Sequence, residues 1–440
     1  MVYELKQEIK DVKMLKKNYT INLSWPTNKE CCVEQYFQWL ELCLNKNITI
    51  VRIFLVPWGI YPYGYTKDMD YLLIIISKAN ELGIKVVLVL DTYVNYCSKT
   101  FRDFENCEYC WDTNMFSNNQ SIGSFLEKRG RTEYLDRIIE MLNRIIEFKN
   151  VIYIELCNEI DLINAKKKSI IAWINNSIRE LTDIFGDRFL FGVSISDYRR
   201  YKVFSDNLLC RCDIHSYRFP YNTALENYQY YLHNFPQTWI SEFSCFSDFA
   251  HSDTIESKIY FVGMIASALF NNATIMPATW WWAEILNSPE YVDLFSSMDS
   301  INTLGFEKLD KKIVVEICGQ VKLYDSQTKE KIRYRLSVLK KNLGFIVNEI
   351  PAITKFVKKS IFRKYNNQFA YQIFIDNCKC IHILVETYTH IRVSLVNLIK
   401  NERYNIICTN LIDNTKIVYN DLKALLEITV GVYWITIDVL

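Results

Sequence analysis

The sequence lacks the features that mark nucleic-acid-binding or membrane-spanning proteins. Its 51 lysines and arginines nearly balance 50 aspartates and glutamates, so it has no basic footprint for nucleic acid. It contains no run of about 20 apolar residues, and we therefore expect no membrane-spanning helix. The N-terminal residues MVYELKQEIK carry no apolar stretch typical of a secretory leader. We therefore expect a cytoplasmic protein, or else a secreted mature form whose leader has been removed.

Cysteine is plentiful, with 14 residues, but it forms no complete metal-binding pattern. Several cysteines lie inside apolar segments, where buried free thiols are expected; these are Cys157, Cys210, Cys212, Cys245 and Cys408. Cys107 and Cys110 form a C-x-x-C pair that, together with Cys97, could bind zinc or form a disulfide. A structural zinc site needs four ligands, and no second such pair is present. We therefore predict no metal and no cofactor.

Short β-rich runs alternate with helical stretches from about residue 18 to 310. The runs are 19–25, 48–56, 85–91, 151–157, 188–194, 211–217, 238–243 and 273–280. Each is mostly apolar, as expected of strands that are covered on both faces. This alternation predicts a (β/α)₈ barrel of the α/β class. A doubly wound open sheet is the alternative, but no G-x-G-x-x-G or Walker loop follows the first run.

A different pattern begins near residue 313. Short alternating segments lie at 331–339, 369–376, 381–388, 403–411 and 432–440. They predict a small C-terminal antiparallel β-sandwich, which would pack on the barrel or bind carbohydrate. Packing is the more expected of these two roles. The predicted domains are therefore a barrel at 1–312 and a sandwich at 313–440.

Two glutamates end predicted barrel strands. Glu159 follows the fourth strand, and Glu242 ends the seventh. These strands lie on roughly opposite sides of a barrel, so the two carboxylates can face one another. Hydrolysis of a glycosidic bond with retention of configuration needs two carboxyl groups about 5 Å apart. For either residue alone, a helix cap or a surface ion pair would be the simpler interpretation.

The pair Asn158-Glu159 and the later Glu242 resemble the signature of glycoside hydrolase clan A, which includes the cellulase and mannanase families. The resemblance covers roughly residues 18–310. It implies that Glu159 is the acid/base of a retaining hydrolase and that Glu242 is its nucleophile. It also implies that Asn158 binds the 2-hydroxyl of the sugar.

Four further residues match the same resemblance. Arg52 on the second strand is expected to hold Glu242 ionised and oriented. His215 and Tyr217 on the sixth strand match a His-x-Tyr pair, and Tyr217 could donate to the same carboxylate. Trp280 after the eighth strand would form the floor of a sugar subsite. The alternatives are an ion pair inside the barrel for Arg52, and core packing for His215 and Trp280.

Substrate recognition is expected to involve the long segment 92–128, which follows the third strand. Tyr93 stands in it where cellulase-like members often carry histidine, so the resemblance implies a different sugar subsite. The expected partner is an oligosaccharide or polysaccharide. The alternative function is a carbohydrate-binding protein without turnover. A lyase or aldolase is disfavoured because no lysine or cluster of histidines stands at the strand ends.

Overall fold

The structure is a computed structural model, and the residues that it describes fall into two compact units. The described residues are 18–24, 26, 31–55, 59–60, 70–92, 128–163, 165–196, 200–217, 223–235, 238–244, 254–280, 286–287, 295, 298, 301, 304–311, 314–317, 369–388, 390–395, 404–419 and 426–439. The first unit is Met1–Ser216, Phe235–Phe243 and Thr274–Val292, and the second is Tyr217–Asn234, Ser244–Ala273 and Asp293–Leu440.

Eight strands form a closed barrel in chain order. They are β1 (Asn18–Leu23), β2 (Ile48–Phe54), β3 (Lys85–Val89), β4 (Val151–Glu155), β5 (Phe191–Ile195), β6 (Arg211–Tyr217), β7 (Ile240–Ser244) and β8 (Ile275–Thr279). The strands run parallel, and β8 pairs with β1 to close the ring. The predicted barrel is therefore confirmed, and the open-sheet alternative is wrong. Every predicted strand overlaps an observed one.

Helices lie between the strands in the sequence. They are α1 (Cys32–Asn45), α2 (Asp70–Glu81), α3 (Lys128–Ile145), α4 (Lys167–Phe185), α5 (Tyr201–Ser205), α6 (Ala224–Asn234) and α7 (Ile255–Phe270). In α2 the buried residues Leu72, Ile75, Ile76 and Ala79 recur at three- to four-residue spacing, which places them on one face of the helix. In the described part of the chain, no helix has both the length and the apolar character needed to cross a membrane.

The interior of the barrel changes from apolar to charged along the strands. An apolar cluster comprises Ile50, Val87, Tyr153, Trp239 and Ala278. Side chains two residues apart on a strand point to the same face, so Arg52 follows Ile50 and Glu155 follows Tyr153 on the inward face. Arg52 and Glu155 therefore lie on the same inward face as the apolar cluster but closer to the C-terminal ends of the strands. Barrel enzymes carry their active sites at these ends.

The C-terminal region consists of two antiparallel sheets, which confirms the predicted fold class. Six strands are ordered β15-β14-β17-β12-β11-β9, and three are ordered β10-β13-β16. Their bounds are β9 (Phe306–Leu309), β10 (Val314–Ile317), β11 (Phe369–Asp376), β12 (Ile381–Thr387), β13 (Ile391–Ser394), β14 (Tyr404–Asn410), β15 (Lys416–Tyr419), β16 (Leu426–Ile428) and β17 (Gly431–Val439). Residues of both sheets, such as Ile383 and Ile391, share one buried apolar cluster. The predicted strand at 331–339 lies outside the described residues, and the domain boundary at 312 stays a prediction.

Helices α6 and α7 belong to the second unit, together with the C-terminal sheets. Glu386 on β12 is fully buried and accepts hydrogen bonds from the backbone N–H groups of Ala224 and Leu225, both at 2.9 Å. These groups open α6, where the first N–H groups have no partner within the helix. Gly263 on α7 leaves space for this carboxylate, because a Cβ there would meet Glu386 Oε2 at 2.9 Å.

The described cysteines that were expected in apolar segments are free. Cys157, Cys212 and Cys408 are buried thiols, as predicted, whereas Cys210 is partly exposed. Cys97, Cys107, Cys110 and Cys245 lie outside the described residues, so the zinc and disulfide alternatives for the C-x-x-C pair stay open.

Candidate active site

Most of the predicted site residues lie toward the C-terminal ends of barrel strands or directly after them. Arg52 is on β2, Asn158 and Glu159 follow β4, His215 and Tyr217 are on β6, Glu242 is on β7, and Trp280 follows β8. Tyr93 lies outside the described residues, as does most of the segment 92–128. The parallel strands of a barrel all end on the same face, so this arrangement gathers the side chains at one end.

The tips of Glu159 and Glu242 meet at this end of the barrel. One carboxylate oxygen of each glutamate and a ring nitrogen of His215 all lie within 4.8 Å of one another. The side chain of Glu159 is 12% exposed, and that of Glu242 is 4% exposed. One of the two carboxylates therefore reaches solvent, while the other is almost covered.

The backbone at Glu159 is held in an uncommon conformation. Its φ of 55° and ψ of 50° lie in the left-handed region, which costs a non-glycine residue about 1–3 kcal/mol. The neighbouring strand ends hold this turn. Asn158 N–H donates to the carbonyl of Asp91 at 2.9 Å, and Glu159 N–H donates to Ser194 Oγ at 3.1 Å. The strain sits at the residue whose side chain is aimed at Glu242 and His215.

His215 lies between the two glutamates as a neutral group. Its Nδ1 is 2.8 Å from Glu159 Oε1, and its Nε2 is 3.6 Å from Glu242 Oε2. Burial and the nearby cation of Arg52 lower the pKa of His215 to about 3. The imidazole is therefore uncharged at pH 7, so it can share a hydrogen bond with Glu159 without adding a positive charge.

Arg52 uses all five of its N–H groups. Nε and Nη2 donate to the two carboxylate oxygens of Glu155, both at 2.8 Å. Nη2 also donates to Asn158 Oδ1 at 2.7 Å, and Nη1 donates to Asn22 Oδ1 at 2.7 Å and to Glu242 Oε2 at 3.3 Å. The predicted contact with Glu242 is present, but the forked partner of the guanidinium is Glu155.

Glu155 and Asn22 are site residues that the sequence analysis missed. Glu155 is the one charged residue in the apolar strand VIYIE, and Asn22 is the corresponding polar residue near the end of NYTINL. Both are fully buried. A polar residue at an inward position of an otherwise apolar strand is the signal that would have found them, because buried polar groups need partners.

Burial disfavours the charged form of both glutamates. It raises the pKa of Glu159 to about 7, an effect that Arg52 opposes and Glu155 reinforces. Burial also raises the pKa of Glu242 well above its usual range, and the charge of Glu159 adds to this effect. Because two carboxylates this close do not both ionise readily, the first ionisation leaves one proton shared between them, and the two groups titrate as a pair.

The two aromatic residues predicted for the site, Trp280 and Tyr217, lie near the ends of β8 and β6. Trp280 is 6% exposed, and its ring packs edge-on against Phe54 with centroids 5.6 Å apart. Tyr217 is the last residue of β6 and is partly buried. The sugar platform at Trp280 and the hydrogen bond from Tyr217 to Glu242 stay predictions.

Glu159, His215 and Glu242 are also the described residues whose donor atoms are grouped closely enough to hold a metal ion. Their donors are two carboxylates and one imidazole, a mixed set that zinc and similar divalent ions accept. In this structure, however, Nδ1 of His215 is engaged with Glu159 at 2.8 Å. That contact also allows these groups to share a proton.

Two solved glycoside hydrolases share this fold. A family 5 enzyme from Bacteroides vulgatus ATCC 8482 matches with a TM-score of 0.50 and 10% identity, over 96% of this chain and 89% of that one. A family 39 enzyme from the gut symbiont Bacteroides cellulosilyticus WH2 matches with a TM-score of 0.53 and 10% identity, over 97% and 82%. No protein-family model and no curated protein matches the sequence. The predicted resemblance to glycoside hydrolases is therefore confirmed at the level of the fold.

Proposed function

We propose that this protein is a retaining glycoside hydrolase that cleaves β-glycosidic bonds through a covalent glycosyl-enzyme. The proposal depends chiefly on Glu159 and Glu242, whose nearest functional atoms lie within 4.8 Å of one another. Retaining enzymes place their two carboxyl groups about 5–5.5 Å apart, whereas inverting enzymes leave about 6.5–9.5 Å for a water molecule. The close approach of single oxygens from Glu159 and Glu242 is compatible with the shorter separation of a retaining site.

In the first step, Glu242 attacks the anomeric carbon while Glu159 protonates the leaving oxygen. These roles need the negative charge on Glu242 and the proton on Glu159; the hydrogen bond from Arg52 favours the ionised form of Glu242 and opposes the burial that raises its pKa. The raised pKa of Glu159, about 7, is suited to a general acid at neutral pH. The aglycone leaves with that proton, and the sugar is bound to Glu242 as an ester.

In the second step, Glu159 acts as the base. Ester formation removes the negative charge of Glu242, which is one of the groups that keep Glu159 protonated, and ionised Glu159 can then accept a proton from water. The water attacks the anomeric carbon, and Glu242 leaves as a carboxylate. The two displacements together retain the configuration of the sugar.

Asn158 is suited to bind the sugar at this site. Its Oδ1 accepts hydrogen bonds from Arg52 at 2.7 Å and from Ser194 Oγ at 3.2 Å. The amide oxygen is thus oriented away from the substrate, and the amide NH₂ becomes the group that donates to the 2-hydroxyl. A carbohydrate-binding protein without turnover is the second candidate, but the complete carboxylate pair favours the enzyme.

The test is a screen of aryl β-glycosides and β-linked oligosaccharides, followed by substitution of Glu242. Glu242→Ala should lower kcat by about 10⁴-fold or more, the order of loss seen when a nucleophile is removed. Azide should restore turnover of an activated aryl glycoside, because it can occupy the space of the missing carboxylate. Glu140→Ala, at an exposed glutamate on α3, is the matched control and should keep full activity.

Wild-type activity in Glu242→Ala on a substrate that the parent protein cleaves would contradict the assignment. Binding of a glycan without any product, in a protein with both glutamates intact, would favour the second candidate.

A further inference from the structure

A second pair of opposite charges is buried beneath the two glutamates. Arg52 and Glu155 are both 0% exposed, with Nε and Oε2 2.8 Å apart. Removing two charges from water is costly, and a buried ion pair often stabilises a fold no more than apolar residues of similar volume would. The pair at this position therefore calls for an explanation other than stability.

Four of the five donors of Arg52 are directed away from the nucleophile. Glu155 accepts two of them, and Asn22 and Asn158 accept one each, at 2.7–2.8 Å. The fifth donor reaches Glu242 at 3.3 Å, the longest of the set. Glu155 thus fixes the plane of the guanidinium and neutralises most of its charge at a short distance from the proton-sharing pair.

Among the described residues, the other ionisable groups near Glu155 do not change how far Glu155 neutralises the charge of Arg52. They are Tyr153 and Glu159 on the β4 side, Cys212, Asp213 and His215 on β6, and Glu242 on β7. Burial raises the pKa of Cys212 well above its usual value, so this thiol is neutral. Burial raises the pKa of Tyr153 and lowers that of His215, so both are neutral at pH 7. Asp213 is paired with Arg211 at 2.6 Å. The charge that stays unbalanced is the single negative charge shared by the two catalytic glutamates.

We propose that Glu155 is a positioning residue of this site: it orients and neutralises Arg52 so that Glu159 keeps its proton at neutral pH. The inference rests on the proposed function. Without the negative charge of Glu155, the full positive charge of Arg52 would act on Glu159 and Glu242 and favour ionisation of both. The acid would then lose its proton at a lower pH.

The test compares Glu155→Gln with Glu155→Asp. The glutamine keeps the shape of the side chain but removes the charge, whereas the aspartate keeps the charge but shortens the fork. In Glu155→Gln, the basic limb of the pH profile of kcat/KM should move to lower pH by about one unit, as expected for an uncompensated charge a few ångströms away. In Glu155→Asp the limb should stay at the wild-type pH, even if kcat falls.

A reverse variant keeps the test valid if Glu155→Gln does not fold. Arg52→Gln leaves Glu155 charged and should move the basic limb to higher pH by about one unit. The double variant Arg52→Gln/Glu155→Gln removes both charges and should return the limb toward the wild-type pH. A limb that stays in place in both the single Arg52 variant and the double variant would overturn the inference.

A titration without substrate separates this inference from the proposed function. The ¹³C signals of the side-chain carboxyl groups can be assigned to Glu159 and Glu242 by their loss in Glu159→Gln and Glu242→Gln. In Glu155→Gln, the signal of Glu159 should titrate at lower pH than in the wild type. If this shift occurs and no glycoside is cleaved, only the proposed function fails. If glycosides are cleaved and the signal titrates as in the wild type, only the role of Glu155 fails.

Discussion

Buried carboxylates occur in both units of the protein, and their partners differ. Glu386 in the C-terminal unit accepts from Ala224 N–H and Leu225 N–H at 2.9 Å and from Tyr388 OH at 2.7 Å. These are neutral donors that hold the carboxyl group in place. Glu242 in the barrel instead has Arg52 at 3.3 Å and His215 at 3.6 Å, and it lies beside Glu159. A carboxylate with short, fixed donors stabilises a fold, whereas carboxylates that compete for one proton are suited to transfer it.

Among the residues that the structure describes, the two buried histidines differ in the same way. His382 on β12 has Nε2 3.1 Å from Asp376 and accepts at Nδ1 from the indole N–H of Trp434 at 3.0 Å. Each ring nitrogen therefore has a partner that suits one tautomer, so the ring is fixed in one state. His215 has a carboxylate near each nitrogen, and its tautomer follows the position of the shared proton. The same side chain is structural in one unit and part of the proton-sharing group in the other.

The largest effect on stability is expected at the structural carboxylate. Glu386→Ala leaves three buried donors without their acceptor, and unpaired buried donors cost about 1–3 kcal/mol each. We expect the free energy of unfolding to fall by about 3 kcal/mol, as measured by urea unfolding. Glu386→Gln, which keeps one acceptor oxygen, should lose less. If Glu386→Ala unfolded at the wild-type urea concentration, the anchoring role of this carboxylate would be wrong.

Removing the carboxylate of Glu159 should instead raise the free energy of unfolding. The pKa of Glu159 in the folded protein, about 7, lies above its ordinary value of 4.5. The folded state therefore binds this proton more tightly than the unfolded chain does, and its stability falls as the pH rises from 4.5 to 7. Glu159→Gln cannot ionise, so it should be more stable than the wild type by about 3 kcal/mol at pH 7, while its activity is lost.

The pH dependence is the control for this prediction. Thermal unfolding of Glu159→Gln and of the wild type should coincide below about pH 4, where the glutamate is protonated in both states. The difference in unfolding temperature between the two proteins should then increase as the pH rises to 7. A constant difference at all pH values would show that the substitution acts through packing and that the carboxylate is not under electrostatic strain.

The smallest effect is expected at the turn that holds Glu159. Ser194 Oγ accepts from Glu159 N–H at 3.1 Å and donates to Asn158 Oδ1 at 3.2 Å. Ser194→Ala should cost about 1 kcal/mol of stability and lower kcat by about tenfold, because one hydrogen bond that fixes the left-handed residue is lost. Ser177→Ala, at a buried helix serine that bonds to the carbonyl of Trp173, is the matched control and should keep its kcat. If the two variants had equal kcat values, Ser194 would not be a residue that positions Glu159.

The main features of the barrel could be predicted because each strand and helix is indicated by the pattern of its own residues. Eight apolar runs of strand length, separated by helical stretches, are visible in the order of the residues, and parallel strands bring their ends together in any closed barrel. This is why Glu159 and Glu242, about eighty residues apart in the sequence, could be placed near one another from the sequence alone. Four strands of the six-stranded antiparallel sheet, β11, β12, β14 and β17, were visible for the same reason, through their alternating pattern. None of the predicted segments corresponds to a strand of the three-stranded sheet.

The polar network could not be predicted in the same way, because its partners are set by strand register. Arg52 and Glu155 come together across β2, β3 and β4. The registers of these strands depend on pairing between distant segments, so they cannot be deduced from the sequence of any single strand. The left-handed conformation at Glu159 depends on Ser194 and Asp91, which lie on two other strand ends. The grouping of α6 and α7 with the C-terminal sheets likewise depends on Glu386, about 160 residues further along the chain.

The stereochemistry of hydrolysis distinguishes a site in which Glu242 attacks the sugar from a site that activates a water molecule. A β-glycoside that the protein cleaves can be followed by proton NMR from the first minutes, before the released sugar equilibrates between its anomers. With Glu159 and Glu242 within 4.8 Å of one another, the first product should be the β-anomer, formed through a glycosyl-enzyme. An α-anomer as the first product would mean direct attack by water and would contradict the assignment of Glu242 as the nucleophile.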